Sequence, residues 1–169
     1  GAPLARNNGL AIAKGEYIQF LDADDILMPE KIANQVEMIA ATSTVLPDFI
    51  AGNYKWIINN KLVFPPPFSY TLWIDLIRGT LGNTCSNLWR KSALNNVGGW
   101  KIDVVSSQET DLMFRILQTT PVVLYDNKPL TVINVRSSGS ISTQNRSENY
   151  SRFINIRIEI AKYLANNAF

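Results

Sequence analysis

Apolar and polar positions along the chain alternate in blocks that predict a mixed α/β order. Residues 4–14 carry Leu4, Leu10, Ile12 and Ala13 at helical spacing and stop at Gly15. Residues 16–22 then read as an apolar strand running into a polar turn, the pattern of a strand buried in a parallel sheet. Pro29 opens a helix to about Ala41, with Ile32, Val36, Ile39 and Ala40 as its apolar stripe. Residues 48–58 and 61–64 read as extended, joined by an Asn59-Asn60 turn, and Pro65-Pro66-Pro67 is a stiff connector. A helix over 70–79 ends at Arg78-Gly79, and 83–90 reads as a strand delivering polar groups to one end. Ser92 is placed to cap a short helix to Asn96, and Gly98-Gly99-Trp100 to form a tight turn. An amphipathic helix over 108–119, strands near 122–125 and 129–135 and a Ser/Gly-rich loop at 137–145 follow. The last element is a helix over 147–167, with Tyr150, Phe153, Ile154, Ile158, Ala161 and Leu164 on a broad apolar face.

Length and composition narrow this. A chain of 169 residues suits one domain with a sizeable core. With 46% hydrophobic and 18% charged residues it is a globular rather than a disordered composition. A net charge of +2, with no basic stripe interleaved with aromatics, argues against a nucleic-acid binder. No apolar run approaches the roughly 20 residues of a membrane helix, and no signal-peptide pattern is visible. The single Cys85 excludes an intramolecular disulfide framework and fits a reducing compartment. The chain has no histidine, which removes Ser-His-Asp, Cys-His and His-metal chemistry. Acid–base work is left to carboxylates, Lys, Tyr or Cys.

The predicted strand 16–22 runs straight into Asp22-Ala23-Asp24-Asp25. Ligands of open α/β sheets bind beyond the carboxyl ends of such strands. Three acids crowded there repel one another unless a cation joins them, and Mg²⁺ or Mn²⁺, which take oxygen ligands, suit them. The run from Ala5-Arg6-Asn7 through Asp25 resembles the centre of family 2 glycosyltransferases of the GT-A fold. The resemblance implies that Asp22-Ala23-Asp24 is the DXD motif, which holds a divalent metal against the diphosphate of a nucleotide-sugar. Asp22 and Asp24 are then the metal-binding and donor-binding carboxylates, with Asp24 favoured for direct contact, and Asp25 is left as an alternative cap for the next helix. Arg6 stands where the family places an arginine near the diphosphate, and also reads as a solvated helix residue.

A second constellation, Ser106-Ser107-Gln108-Glu109-Thr110-Asp111-Leu112-Met113-Phe114-Arg115, opens a helix where first-turn acids suit the helix dipole. It resembles the family's catalytic segment. Aligned on Asp111-Leu112 and Arg115, the base position falls on Glu109, with Asp111 as the alternative. The family usually has Asp at that position, so Glu109 is a departure. Gly98-Gly99-Trp100-Lys101-Ile102-Asp103 resembles the turn before that segment, and Trp100 reads either as a sugar-stacking ring or as core. Trp56, Trp73 and Trp89 share that ambiguity, with core favoured. Asn83-Thr84-Cys85-Ser86-Asn87 matches a polar strand on the donor-sugar or acceptor side. Arg136-Ser137-Ser138-Gly139-Ser140-Ile141-Ser142 resembles the loop closing over the diphosphate. It lacks the family's common His there, so a phosphate or metal contact from this loop falls to Arg136, a Ser or water.

The resemblance implies an α/β GT-A fold: a Rossmann-like mixed sheet flanked by helices, present as a single partial domain over 1–169. The family's leading nucleotide-binding units, about a third of such a domain, would lie before residue 1, and the sheet edge they leave open would invite a second copy. The implied activity is inverting, metal-assisted transfer from a nucleotide-diphospho-sugar donor to a saccharide or lipid-linked acceptor. It implies work in the bacterial cytoplasm on cell-envelope polysaccharide, with peripheral association at the inner membrane face. Two alternatives stand beside it. One is a non-catalytic fragment acting as an interaction module. The other is a metal-dependent phosphotransferase or nucleotidyltransferase; the lack of a G-x-x-x-x-G-K-[ST] signature counts against P-loop kinases.

Overall fold

In the computed structural model, which describes residues 1–42, 45–135 and 145–167, eight strands form two four-stranded sheets with six helices. Sheet A runs β1 (Tyr17–Ile18), β6 (Leu88–Arg90), β3 (Phe49–Gly52), β7 (Val123–Asp126). Its β6 is antiparallel to both neighbours, while β3 and β7 are parallel. Sheet B runs β2 (Ile26–Leu27), β8 (Thr131–Val135), β4 (Lys55–Ile58), β5 (Lys61–Val63), with only β4 and β8 parallel.

The chain passes from sheet A to sheet B twice, side by side: from β3 to β4 through Asn53 and Tyr54, and from β7 to β8. The two crossings are tied by the Asn53 N–H to the Asp126 carbonyl at 2.8 Å and by the Asn53 amide to the Asn127 carbonyl at 3.2 Å. The expected extended run 48–58 is therefore two strands in two sheets. The expected parallel strand 16–22 keeps only Tyr17–Ile18 in a ladder, and that ladder is antiparallel. Beyond Ile18 the chain leaves the sheet edge to make the acidic turn, and β2, which the sequence reading did not separate, follows directly.

The core lies between sheet A and α1 (Ala2–Ile12), α3 (Leu72–Arg78), α4 (Lys91–Asn96), α5 (Gln108–Leu117) and α6 (Arg146–Asn167). Phe49 stacks on Trp89 at 5.2 Å, and Phe20 meets Trp100 edge-on at 5.3 Å. Trp89 and Trp100 are buried, so Trp100 is a core ring rather than an open sugar platform.

Three helix faces differ from expectation. On α6 the buried residues are Ile156 and Ile160, whereas Tyr150, Phe153, Ile154, Ile158 and Ala161 are exposed; Leu164 is partly buried against the core. The broad stripe spans more of the circumference than the contact with α3 and α5 covers. On α1, Leu10 is buried while Leu4 and Ile12 stand exposed. On α2 (Lys31–Ala40), Ile32, Val36 and Ala40 are exposed and Ile39 is partly so, while Lys31 and Gln35 are buried. The inner face of α2 serves a polar network instead of an apolar one. Gln35 donates to the Asp126 carboxylate at 3.1 Å and to the Ser86 carbonyl at 3.3 Å.

Two shorter expectations also change. The stretch 83–90 is a strand only at Leu88–Arg90; Asn83–Ser86 is a turn, its Asn83 side chain accepting from the N–H groups of Cys85 and Ser86 at 2.9 Å each. Helix α4 begins at Lys91 with Arg90 at its cap position, so Ser92 lies inside the helix.

Candidate active site

The acidic turn, the 83–86 turn, the start of α5 and the facing strands of sheet B surround one cleft of about 620 Å³. Asp22, Asp24, Asp25, Asn83, Thr84 and Cys85 line one part; Tyr54, Trp56, Ile133 and Val135 line another; Gln108 and Glu109 lie at the start of α5. The two segments singled out from the sequence, 84 residues apart between Asp25 and Glu109, thus meet in one cavity.

The acidic turn is held from several sides. Asp25 N–H donates to the Asp22 carbonyl at 3.1 Å, closing the turn. Asp25 does not cap a helix, as the sequence left open. Its carboxylate accepts from the Asn134 N–H of β8 at 3.1 Å, while the Asn134 amide donates to the Asp24 carbonyl. From beneath, buried Lys31 donates to Gln19, whose amide donates to the Cys85 carbonyl at 2.7 Å. Cys85 Sγ in turn accepts the Asp22 N–H at 3.3 Å. Burial pulls the Lys31 ammonium down to about 7 and pushes the Cys85 thiol well above its ordinary value.

Arg6 joins the two constellations. Its guanidinium donates to both oxygens of Asp22, at 2.8 and 3.0 Å, and to Gln108 at 2.9 Å. It lies 4.7 Å over the Trp100 ring. The neighbouring Asn7 clamps the Trp100 backbone, accepting from its N–H at 2.9 Å and donating to its carbonyl at 2.7 Å. Gly99, at φ 68°, sits under that clamp, where a Cβ would come within 2.7 Å of the Asn7 oxygen.

Glu109 and Asp111 part company. Glu109 is half-buried and lines the cleft. Asp111 is buried among cations: Arg115 donates to one of its oxygens at 2.7 and 2.9 Å, and Lys101 to the other at 3.1 Å. Arg115 also donates to the Val97 carbonyl at 2.6 Å, so Asp111 pins the Gly98-Gly99 turn to α5. Arg136 and the Ser/Gly stretch after it lie outside the described residues.

The donor set fits a hard divalent cation. Carboxylate oxygens of Asp22 and Asp25 and the Cys85 sulfur lie within 4.8 Å of one another, with Asp24 lining the same cleft. The Asp25 carboxyl is pushed upward, by burial first and also by the charges of Asp24 and Asp22, against the opposing pull of its hydrogen bonds with Asn134 and Cys85. A cation there would relieve that repulsion. The Cys85 thiol, kept protonated, is a poor ligand for Mg²⁺ or Mn²⁺, so the carboxylates would hold the ion.

Tyr54 and Trp56 were not singled out as a pair from the sequence. Both face the cleft from the β3–β4 crossing, packed edge to face at 5.0 Å. Burial, with the charge of Glu109 behind it, pushes the Tyr54 hydroxyl up to about 12.

The sequence profile of the family described as "Glycosyl transferase family 2" matches residues 1–98. A UDP-Glc:alpha-D-GlcNAc-diphosphoundecaprenol beta-1,3-glucosyltransferase of Escherichia coli, WfgD, is 41% identical over 63 residues, which are 37% of this chain and 24% of that protein. An uncharacterized glycosyltransferase of Haemophilus influenzae is 29% identical over 154 residues, 86% of this chain and 52% of that one. The chain thus spans between a quarter and a half of these relatives. The crystal structure of S. aureus TarS 1-349 in complex with UDP-GlcNAc superposes on 90% of this chain and 45% of its own, with a TM-score of 0.65 at 19% identity. The fold is of the GT-A type, and with more than half its length matched by the family profile, this chain belongs to glycosyltransferase family 2.

Proposed function

We propose that this chain carries the reaction centre of an inverting glycosyltransferase, moving a sugar from a nucleotide-diphospho-sugar to a saccharide or lipid-linked acceptor. The observation that carries the reading is the meeting of the acidic turn with Glu109 in one cleft. Inversion requires the acceptor hydroxyl to attack the anomeric carbon from the side opposite the leaving group. Glu109 accepts the hydroxyl proton as the new C–O bond forms. The bond from the anomeric carbon to the diphosphate oxygen breaks, and the nucleoside diphosphate leaves with the electron pair.

Asp22 and Asp24, with Asp25 beside them, would hold Mg²⁺ or Mn²⁺, and such an ion supplies Lewis-acid stabilisation of the departing diphosphate. Arg6 fixes the orientation of Asp22 and ties it to the residue before Glu109. Asp111 keeps the start of α5 in place through Arg115 and Lys101. The acceptor class follows the lipid diphosphate named for WfgD, and with it a place at the inner face of a bacterial membrane. Among the described residues no helix is long and apolar enough to cross one.

The test is acceptor-dependent UDP release from UDP-glucose and UDP-GlcNAc, with the undecyl ester of α-GlcNAc diphosphate as acceptor, with and without Mn²⁺, in the wild type and in Glu109→Gln. A positioned base contributes about 10²- to 10⁴-fold, so Glu109→Gln loses transfer by that factor while still binding donor. Unchanged turnover in Glu109→Gln removes the base assignment.

A further inference from the structure

The floor of the cleft is a sheet face, and its order sets where each reactant fits. The acidic turn runs directly into β2; crossing sheet B from there, one meets β8 and then β4. Strands lie about 4.8 Å apart, so Trp56 on β4 stands roughly 10 Å from β2. That leaves room for one sugar ring between them. Trp56 pairs in register with Ile133 and Ile58 with Val135. Tyr54, two residues before Trp56, lies on the same face. The result is an aromatic and aliphatic surface in which Ile133 and Val135 stand on the strand beside β2 and Trp56 on the next one out, with Glu109 also lining the cleft.

Trp56 is only partly buried. Tyr54 packs against it edge to face, and both rings line the cleft. An indole face held in this way packs against the C–H face of a pyranose, and a diphosphate gains nothing from it. In-line displacement adds the direction: with the diphosphate at the carboxylates, the incoming hydroxyl must arrive from across the anomeric carbon, and Trp56 stands two strands away from β2, the strand that follows the acidic turn.

We infer that Trp56, braced by Tyr54, is the platform on which the acceptor's terminal sugar ring stacks, presenting its hydroxyl to Glu109. The inference rests on the transferase reading above and deepens it: Trp56 determines acceptor affinity, not donor affinity.

The four tryptophans give four indole N–H signals in a ¹⁵N-labelled sample, and Trp56→Phe assigns the Trp56 signal while the other three report on the fold. UDP with Mn²⁺ is added first. The undecyl ester of α-GlcNAc diphosphate follows, as a soluble form of the acceptor named for WfgD, with methyl β-glucoside in parallel. At least one saccharide probe is expected to shift the Trp56 indole and leave Trp89 and Trp100 in place. Trp56→Ala should weaken that probe at least tenfold, with UDP affinity held within twofold, and Trp56→Phe should recover most of the loss. Failure of both probes to bind UDP-loaded protein, binding that leaves Trp56 unmoved, or a loss of UDP affinity in Trp56→Ala overturns the inference. Failure of UDP with Mn²⁺ to bind either these 169 residues or a version extended by the family's leading nucleotide-binding units sinks the transferase reading itself, which separates the two.

Discussion

Asp111 and Glu109 sit two positions apart on one helix, and their surroundings differ: Asp111 is paired with cations, while Glu109 lines the cleft. Asp111 is one-tenth exposed and is held by two cations. Removing its charge leaves the largely buried Arg115 facing a neutral group, while Lys101 is half exposed to water. Breaking a buried pair in this way costs about 3–5 kcal/mol. Asp111→Asn should therefore lower the melting temperature sharply, whereas Glu109→Gln should leave it nearly unchanged while turnover collapses. Equal melting temperatures for the two variants would contradict the division of roles. Lys31 supplies a pH signature. Burial depresses its folded-state value to about 7 from an ordinary 10.5. Between these values the unfolded chain binds the extra proton, so stability rises with pH, by at most about 1.4 kcal/mol per unit. Below about 7 the contribution is fully lost. The raised Cys85, Tyr17 and Tyr54 act in the opposite sense at higher pH, which confines the clear window to about pH 7 to 8.5. Melting curves across that window should rise in the wild type and flatten in Lys31→Met; a rise of equal slope in the variant would clear Lys31 of the effect.

Elements in this chain are placed by backbone contacts that leave no slack. At the end of β3, Gly52 lies so close to the 83–86 turn that a Cβ would stand 2.0 Å from the Ser86 carbonyl oxygen. Its N–H donates to the Asn87 side chain at 3.0 Å, which also donates to the Leu81 carbonyl at 3.1 Å. Gly52→Ala must push β3 away from the turn that supports Cys85 and hence Asp22. A loss of several kcal/mol, in the range of overpacked cores, is expected by denaturant titration; a stability within 0.5 kcal/mol of wild type, roughly the scale of a neutral surface change, would show that the turn moves freely. This scale is also where sequence reading reached its limit. The helices and the β7–β8 pair are visible as local periodicity. The two-residue strands β1 and β2 are too short to show any. The burial of Lys31 and Gln35 in place of Ile32 and Val36 reverses the usual rule, because the inner face of α2 meets a polar turn rather than the sheet's apolar side.

For the whole molecule, the cleft exists because the chain crosses between two sheets at two adjacent points, and its reactive groups come from both. The acidic turn and the start of α5 could be marked in the sequence because the segments that carry the family resemblance are local, and the structure brings Asp22, Asp24 and Glu109 to one cleft. Arg6 was legible as a residue but not as a coupler, since its ties to Asp22 and Gln108 depend on where α1 packs. Tyr54 and Trp56 carry no motif, and only the passage of β4 into sheet B brings them to Glu109. Every role proposed for the cleft depends on the carboxylates of the acidic turn holding a nucleotide-sugar through a divalent ion. Calorimetric titration of UDP-glucose and UDP-GlcNAc, with Mn²⁺ and with Mn²⁺ chelated, tests it most directly, with Asp24→Ala as the partner sample. The account predicts binding that needs Mn²⁺ and is lost in Asp24→Ala. Binding that persists unchanged without the metal or in Asp24→Ala, or no binding of either donor to the wild type, would contradict it.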